Sequence, residues 1–357
     1  MNIMTLEEFK NEFDRLFSAF LDAKFPSIGS VSPHLQTVLQ SSKKVWTKGG
    51  KRIRPYLSML AYQGHGGTDV EAVLRASAAL EMMHIFALVH DDVIDQSETR
   101  RGYQTLHILL QREHEKKALH GDAKHTAESL AILIGDLLFS YANEIAAQMP
   151  FPVEIAQRAQ KFFYQIQQEL VLGEYEDVRA TARLESVTEN QVIALMSRKS
   201  GRYSIEQPLQ FGTLLAGKDM GYAAKVFSAF SEPLGIAFQL HDDILGTFGD
   251  PKKLGKPIDS DIKQGKPTLM VVHALHQADK KEKERLLAIL GNQQASERDI
   301  SHVRNFLQAK GSEKYARGRA QEEVKKAQEA LTQLQGLPAA FTKTLSDLAE
   351  FIISRTA

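Results

Sequence analysis

The sequence predicts an all-α protein, an expectation carried by three observations. Apolar residues recur at three- and four-residue steps nearly everywhere, the period of a helix buried along one face. No segment shows a convincing alternation of apolar and polar residues, and no repeat of solenoid length recurs. The 357 residues, 43% hydrophobic, contain no Pro/Gly/Ser-rich linker, so a single helical domain over residues 1–357 is expected.

The first helix is read from Phe9, Phe13, Leu16, Phe17 and Phe20, an apolar stripe whose opposite face mixes both charge signs. A membrane-surface helix would carry a basic polar face, so packing against the body or a second subunit is expected. Residues 71–95, EAVLRASAALEMMHIFALVHDDVID, form a long apolar and therefore buried helix that ends in QSETRRG. HILLQREHEKKALHGDAKH carries His107, His114, His120 and His125 at spacings unlike a zinc site and is expected to be a polar loop. SLAILIGDLLFSYANEIAAQM, VEIAQRAQKFFYQIQQELVLGEYEDV and AKVFSAFSEPLGIAFQLHDDILG are further helices, the last stopped by Gly246 and Gly249. Near the C-terminus EEVKKAQEALTQLQ and FTKTLSDLAEFIISR flank the turn signal Gly336-Leu337-Pro338.

Lys plus Arg and Asp plus Glu are 44 each, so no global charge points to a nucleic-acid partner. The absence of cysteine excludes disulfide and thiol chemistry and suits a reducing compartment. MNIMTLEEFKNEF lacks a signal pattern, and no stretch approaches ~20 uninterrupted apolar residues. A cytoplasmic protein without an integral membrane segment is the expectation.

Charge is organised locally. On a helix of about 100° per residue, Asp95 lies about 40° and His84 about 20° from Asp91, with Asp92 on the flank. Carboxylates at a helix C-terminus face the negative pole of the dipole and repel one another, so a hard cation is the expected neutraliser. A second acidic pair, Asp242 and Asp243, follows about 150 residues later, with Gly246 where a third acid would stand. One metal, chiefly on Asp242, is expected there, against two shared by Asp91 and Asp95; Asp250 reads as a surface turn residue. Three basic segments accompany the acids: Lys51, Arg52 and Arg54; Arg100 and Arg101; and the Gly-Lys-Pro triplets at Lys256 and Lys266. Acids that bind metal-bound diphosphate need such cations around them. GGKRIRP is not a P-loop, so nucleotide hydrolysis has no support.

In chain order GGKRIRP, HIFALVHDDVID with RRG, SLAILIGDLL, RKSGRYS, FQLHDDILGTFGD and both GKP segments resemble the trans-isoprenyl diphosphate synthases, or polyprenyl synthetases, over nearly the whole chain. The resemblance implies an isoprenoid-synthase-type helical bundle around a deep central apolar cavity, usually homodimeric. It implies that an allylic diphosphate binds through three Mg²⁺ ions held by Asp91, Asp95 and Asp242, with Asp92 and Asp243 in support. Arg100, Lys199, Lys256 and Lys266 would contact its phosphates. Isopentenyl diphosphate would bind without metal through Lys51, Arg54, His84 and Arg101, while Lys199, Ser200 and Gln239 face the allylic cation. Ionisation of the allylic C–O bond, attack by the isopentenyl double bond and proton loss to the released diphosphate give a 1′-4 trans condensation. Glu174 stands where many members have Gln, and Ser200 where Thr is common.

Family pattern points to Ala87 and Phe86 as what blocks the cavity beneath Asp91, with Met83 sharing the stopping role. One aromatic and no insertion inside DDVID resemble the archaeal-type geranylgeranyl synthases, so geranylgeranyl diphosphate is the expected product and farnesyl diphosphate the alternative. A class I terpene cyclase would need a different second metal motif and no isopentenyl site. A regulatory subunit on this fold would have lost acids or basic ligands that are intact here.

Overall fold

Thr5 begins the first helix: its hydroxyl accepts from the Glu8 amide while the Glu8 carboxylate accepts from the Thr5 amide, a reciprocal cap. The computed structural model describes residues 3–47, 50–250, 258–334 and 337–354. Among these residues it is all-α apart from one hairpin of two-residue strands, and the helices group into two compact units.

Unit 1 comprises Met1–Phe163 and Phe211–Lys218. It contains α1 (Leu6–Gly29), α2 (Pro33–Thr47), α3 (Ile53–Gly64), α4 (Val70–Ile94), β1 (Thr99–Arg100), β2 (Tyr103–Gln104), α5 (Leu106–Lys116) and α6 (Ala123–Ala147). The apolar stripe of α1 packs inside its own chain: Phe9, Phe13, Phe17, Leu21 and Phe25 are buried, and consecutive rings stack at 5.3 and 5.6 Å. Phe20, on the edge of the stripe, meets Tyr141 of α6 edge-on. Asp69 caps α4, whose buried length packs against α3 and α6. Both α4 and α6 are long and apolar enough to cross a bilayer by composition, but α4 is the core of this unit. The returning segment Phe211–Lys218 fits closely: Phe211 packs on Phe163, and a Cβ on Gly212 would lie 1.9 Å from the Ser58 carbonyl oxygen.

Two expectations need correction in this unit. The histidine-rich segment is not a polar loop, because its first half is α5 and buries His107 and His114 against α6. Its hydrophobic period, from Leu106 to Leu110, outweighs its polar composition. A hairpin also forms at Thr99–Gln104, too short to leave an alternating pattern, with Arg101 and Gly102 at its turn at φ +54° and +78°.

Unit 2 comprises Tyr164–Gln210 and Asp219–Ala357. Most of α7 (Val153–Thr181) belongs to it, followed by a 3₁₀ turn, α8 (Glu189–Met196), a π-helical segment Ser197–Glu206, the start of α9 (Gln207–Leu215) and α10 (Met220–Phe248). Among the described residues five further helices follow: α11 (Ser260–Gln264), α12 (Leu269–Gln277), α13 (Lys280–Ile289), α14 (Glu297–Ala309) and α15 (Ser312–Thr332); α16 (Ala339–Ser354) packs on α15. The buried side of α10 lies against α15 and the π-helical segment. Gly246 does not stop α10 but is buried within it, and Gly249 is the cap. The predicted turn falls between α15 and α16, with Gly336 itself outside the described residues.

The π-helical segment approaches α10 through two glycines. A Cβ on Gly235 would lie 1.8 Å from the Gly201 Cα, a backbone atom that cannot rotate away. Gly235→Ala is therefore expected to cost about 3 kcal/mol in urea unfolding, the upper range for overpacking. Loss of less than about 1 kcal/mol would mean that the two segments separate easily.

Candidate active site

In the last three turns of α4 buried and solvent-reaching side chains are mixed, and most of those that reach solvent fall on one stripe, with His90 and Ile94 off it. His84, Ala87, Leu88, Asp91 and Asp95 are partly open, whereas Ile85, Phe86, Val89, Asp92 and Val93 are buried. The stripe inferred from helical spacing is thus present. Asp95 is the C-cap, and its amide donates to the Asp91 carbonyl at 2.7 Å, so the two carboxylates sit one turn apart at the end of an apolar helix.

Asp92 is held differently. Its Oδ1 accepts from Nε and Nη2 of Arg100 at 2.7 and 2.6 Å. Burial pushes its carboxyl above the ordinary range, and Arg100 opposes that shift. Arg100 itself is held above its usual value: burial works against it, and Asp92, Asp91 and Asp95 outweigh burial. The hairpin thereby delivers one guanidinium beside the acidic cluster.

Its neighbour Arg101 joins a basic group. Arg101 donates Nη1 to the Val45 carbonyl at 3.2 Å. Burial pushes its guanidinium down; Glu81 opposes this, while Arg52, Arg100 and Arg54 add to it. His84 lies in the same field, its imidazole held well below the usual value by burial and then by Arg54, Arg101, Arg100 and Arg52. A neutral imidazole among guanidiniums is a site that gains from an incoming anion. Of the predicted isopentenyl set, Arg54, His84 and Arg101 are brought together, and Lys51 is exposed on the same chain turn.

Arg52, which stands between Lys51 and Arg54 in the sequence, is not a solvated loop cation. Its side chain is fully buried: Nε donates to Asp14 at 2.7 Å, Nη1 to Glu81, and Nη2 to the carbonyls of Trp46 and Thr47 at 3.0 and 2.9 Å. Its φ of +53° is the unusual backbone that turns the side chain inward at the start of α3. Spacing gives no hint of which arginine of KRIRP turns in.

The chain-length candidates separate. Ala87 lies on the open stripe, and Met83 is fully buried. Phe86 faces α6, with its ring centroid 5.0 Å from Phe139 and 4.7 Å from His90. Gly135 makes room for that imidazole, since a Cβ there would lie 2.2 Å from His90 Nε2.

In unit 2, Asp242 is partly open and Asp243 buried on α10. Gln239, one turn earlier, donates Nε2 to Asp243 Oδ1 at 2.6 Å. Burial, then Asp261 and Asp242, hold the Asp243 carboxyl well above its ordinary range, with Gln239 and Lys266 opposing. Asp261 of α11 is thus a further acid of this site that sequence reading missed. The first turn of α11 carries it, and the left-handed Gly265 that ends the helix, at φ +72°, leads into Lys266. His241 is buried. Asp250 is exposed, and Lys256 lies outside the described residues.

Lys199 stands in the π-helical segment, whose looser turn is common at functional positions. Its Nζ is 2.7 Å from Glu174 and 2.5 Å from Asp177, one turn apart on α7. Gly173 lets the segment approach, its Cβ position being 3.8 Å from the Lys199 Cα. Asp177 was also missed, because only its contact with Lys199 distinguishes it from other helix acids. The side chain of Ser200 lies outside the described residues.

Among the described residues no group of three or more His, Asp or Glu side chains forms a ready metal cage. Paired carboxylates that leave positions open are instead the donor set of a hard divalent cation completing its shell with water and phosphate oxygens.

Comparison with known proteins agrees. The polyprenyl synthetase family pattern matches residues 35–307. A short chain isoprenyl diphosphate synthase of Methanothermobacter thermautotrophicus is 32% identical over 342 residues, 96% of this chain and 97% of that protein. A geranylgeranyl diphosphate synthase of Sulfolobus acidocaldarius is 33% identical over 346 residues, 96% of this chain and 98% of that protein. The crystal structure of a geranylgeranyl pyrophosphate synthase from Corynebacterium glutamicum, complexed with isoprenyl diphosphate and magnesium, has a TM-score of 0.91 at 28% identity and covers 99% of this chain and 100% of its own. Sequence motifs, helical architecture and full-length similarity converge: the chain belongs to the polyprenyl synthetase family and is a trans-prenyltransferase.

Proposed function

We propose that the enzyme condenses isopentenyl diphosphate with an allylic diphosphate, 1′-4 and in trans, to geranylgeranyl diphosphate. The observation that carries this reading is the open stripe His84–Ala87–Leu88–Asp91–Asp95, which runs from the basic group along apolar side chains to the paired acids.

Asp91 and Asp95, and separately Asp242, are the residues that would hold magnesium, with three ions as the family count and Asp92 and Asp243 in support. Bound magnesium supplies positive charge that stabilises the departing diphosphate. Arg100 of unit 1, kept in place by Asp92, is one contact for the allylic phosphates, and Lys199, Lys256 and Lys266 of unit 2 are the others that the family pattern assigns. Lys51, Arg54, Arg101 and the neutral His84 hold the isopentenyl diphosphate; the imidazole gives a hydrogen bond without adding to arginine–arginine repulsion. Lys199, Ser200 and Gln239 present polar groups to the allylic cation. Gln239 is steadied by its bond to Asp243. The proton lost after C–C bond formation goes to the released diphosphate, and the apolar stripe keeps water from quenching the cation.

Magnesium is supported by the donor set and by the Corynebacterium complex. Twenty carbons is supported by the names of the Sulfolobus and Corynebacterium relatives and by the Phe86–Phe139 ring contact below the acids. The apolar outer face of α6, with Leu130, Ile132 and Leu133 38%, 44% and 63% exposed, suits a second copy of the chain in a homodimer. The cytoplasm, where both water-soluble diphosphates are available, is the proposed location.

One incubation series tests the reaction and its product. Purified enzyme receives Mg²⁺, isopentenyl diphosphate and a dimethylallyl, geranyl or farnesyl primer, and dephosphorylated products are identified by mass. Twenty-carbon alcohol is expected; fifteen carbons would retain the chemistry and overturn the proposed length, and cyclic hydrocarbons would overturn the condensation. Phe86→Ala should shift the product beyond twenty carbons, and an unchanged product would move the floor to Ala87 or Met83.

A further inference from the structure

Two acids meet on Lys199. Glu174 and Asp177 each place a carboxylate oxygen on its Nζ, at 2.7 and 2.5 Å, and the three side chains are only 19%, 17% and 26% exposed. One carboxylate suffices to neutralise one ammonium, so the trio carries a surplus negative charge.

We propose that Glu174 is an internal competitor of the allylic diphosphate, holding the Lys199 ammonium in the ligand-free enzyme and thereby setting substrate affinity. The inference rests on the reading of Lys199 as a phosphate-binding residue. A diphosphate oxygen reaching Nζ meets a donor already engaged by carboxylates, and binding must displace or share it. Asp177 keeps Lys199 aimed; Glu174 supplies the charge that substrate has to overcome. Glu174 is therefore an affinity-setting residue that acts through Lys199 and not by touching the reacting carbons. Two other acids of α7 have cations of their own: Glu169 pairs with Arg202 at 3.2 Å and Glu176 with Arg179 at 3.7 Å.

Glu174→Gln removes the charge, keeps the shape, and leaves Asp177 to orient Lys199. Calorimetric titration with the unreactive geranyl S-thiolodiphosphate in Mg²⁺ is the direct measurement. E174Q should bind it roughly three- to tenfold tighter, the range for losing a partly shielded ion pair. The KM for isopentenyl diphosphate should stay unchanged, a split that general loosening of the helix would not produce. K199M should bind the analogue more weakly, and E174Q added to K199M should bring no gain. Unchanged or weaker binding by E174Q in the otherwise intact chain would overturn the competition, as would a full gain in the K199M background, which would mean direct repulsion of the phosphate. Binding by K199M equal to that of the parent would instead overturn the phosphate-binding reading of Lys199, a result separable from the other two.

Discussion

Replacing Arg52 by alanine is expected to cost about 3–5 kcal/mol of stability, the range for breaking a buried ion pair from one side. Total stabilities of about 5–15 kcal/mol leave little after such a loss. The asymmetry of its partners explains the size. Asp14 is 25% exposed and can return to water, but Glu81 is 3% exposed and cannot. Without the guanidinium, Glu81 stays as a buried charge, and the carbonyls of Trp46 and Thr47 lose their donor. Denaturant unfolding of R52A, E81Q and the double variant R52A/E81Q distinguishes this cause from simple cavity formation. The double variant, which buries no charge, should recover part of the loss. A double loss equal to the sum of the singles would show that Arg52 contributes by packing alone.

Asp91→Ala is expected to reduce turnover by about a thousandfold or more with little change in stability. Asp91 is partly open, so its removal opens no core cavity. Its cost falls on the reaction, because fixed positive charge at the departing diphosphate is the largest single contribution available to an ionisation step. Two measurements are paired: single-turnover rates of geranyl diphosphate with isopentenyl diphosphate, and melting temperature with and without Mg²⁺ plus the unreactive analogue. The parent should melt higher with ligand, and D91A should lose most of that rise while keeping its ligand-free melting temperature. Near-normal turnover in D91A would refute the metal assignment. A collapsed ligand-free melting temperature would make the residue structural.

The fold class and the acidic stripe were legible because both are periodic. A helix repeats every 3.6 residues, so Phe9, Phe13 and Phe17 declare the buried face of α1, and His84, Asp91 and Asp95 declare one open line on α4. What stayed hidden depends on contacts distant in sequence. Arg52 reads like Arg54 until Asp14 and Glu81 are folded around it. Asp261 and Asp177 look like surface helix acids until the first is set near Asp243 and the second against Lys199. His107 and His114 illustrate the opposite failure. Polar letters suggested a loop, but the leucines between them carry a helical face that buries both rings.

The return of Phe211–Lys218 to unit 1 sets a timetable for synthesis. A chain emerging N-terminus first can assemble α1 to α6 early, and its Asp14–Arg52–Glu81 cluster is complete once α4 has been made. Phe163 and the Ser58 carbonyl, however, wait for Phe211 and Gly212, which arrive only after the part of unit 2 from Tyr164 to Gln210 has left the ribosome. Unit 1 therefore spends the interval with an unfilled seam, and its final closure is tied to the length of chain released and not to the speed at which its own helices form.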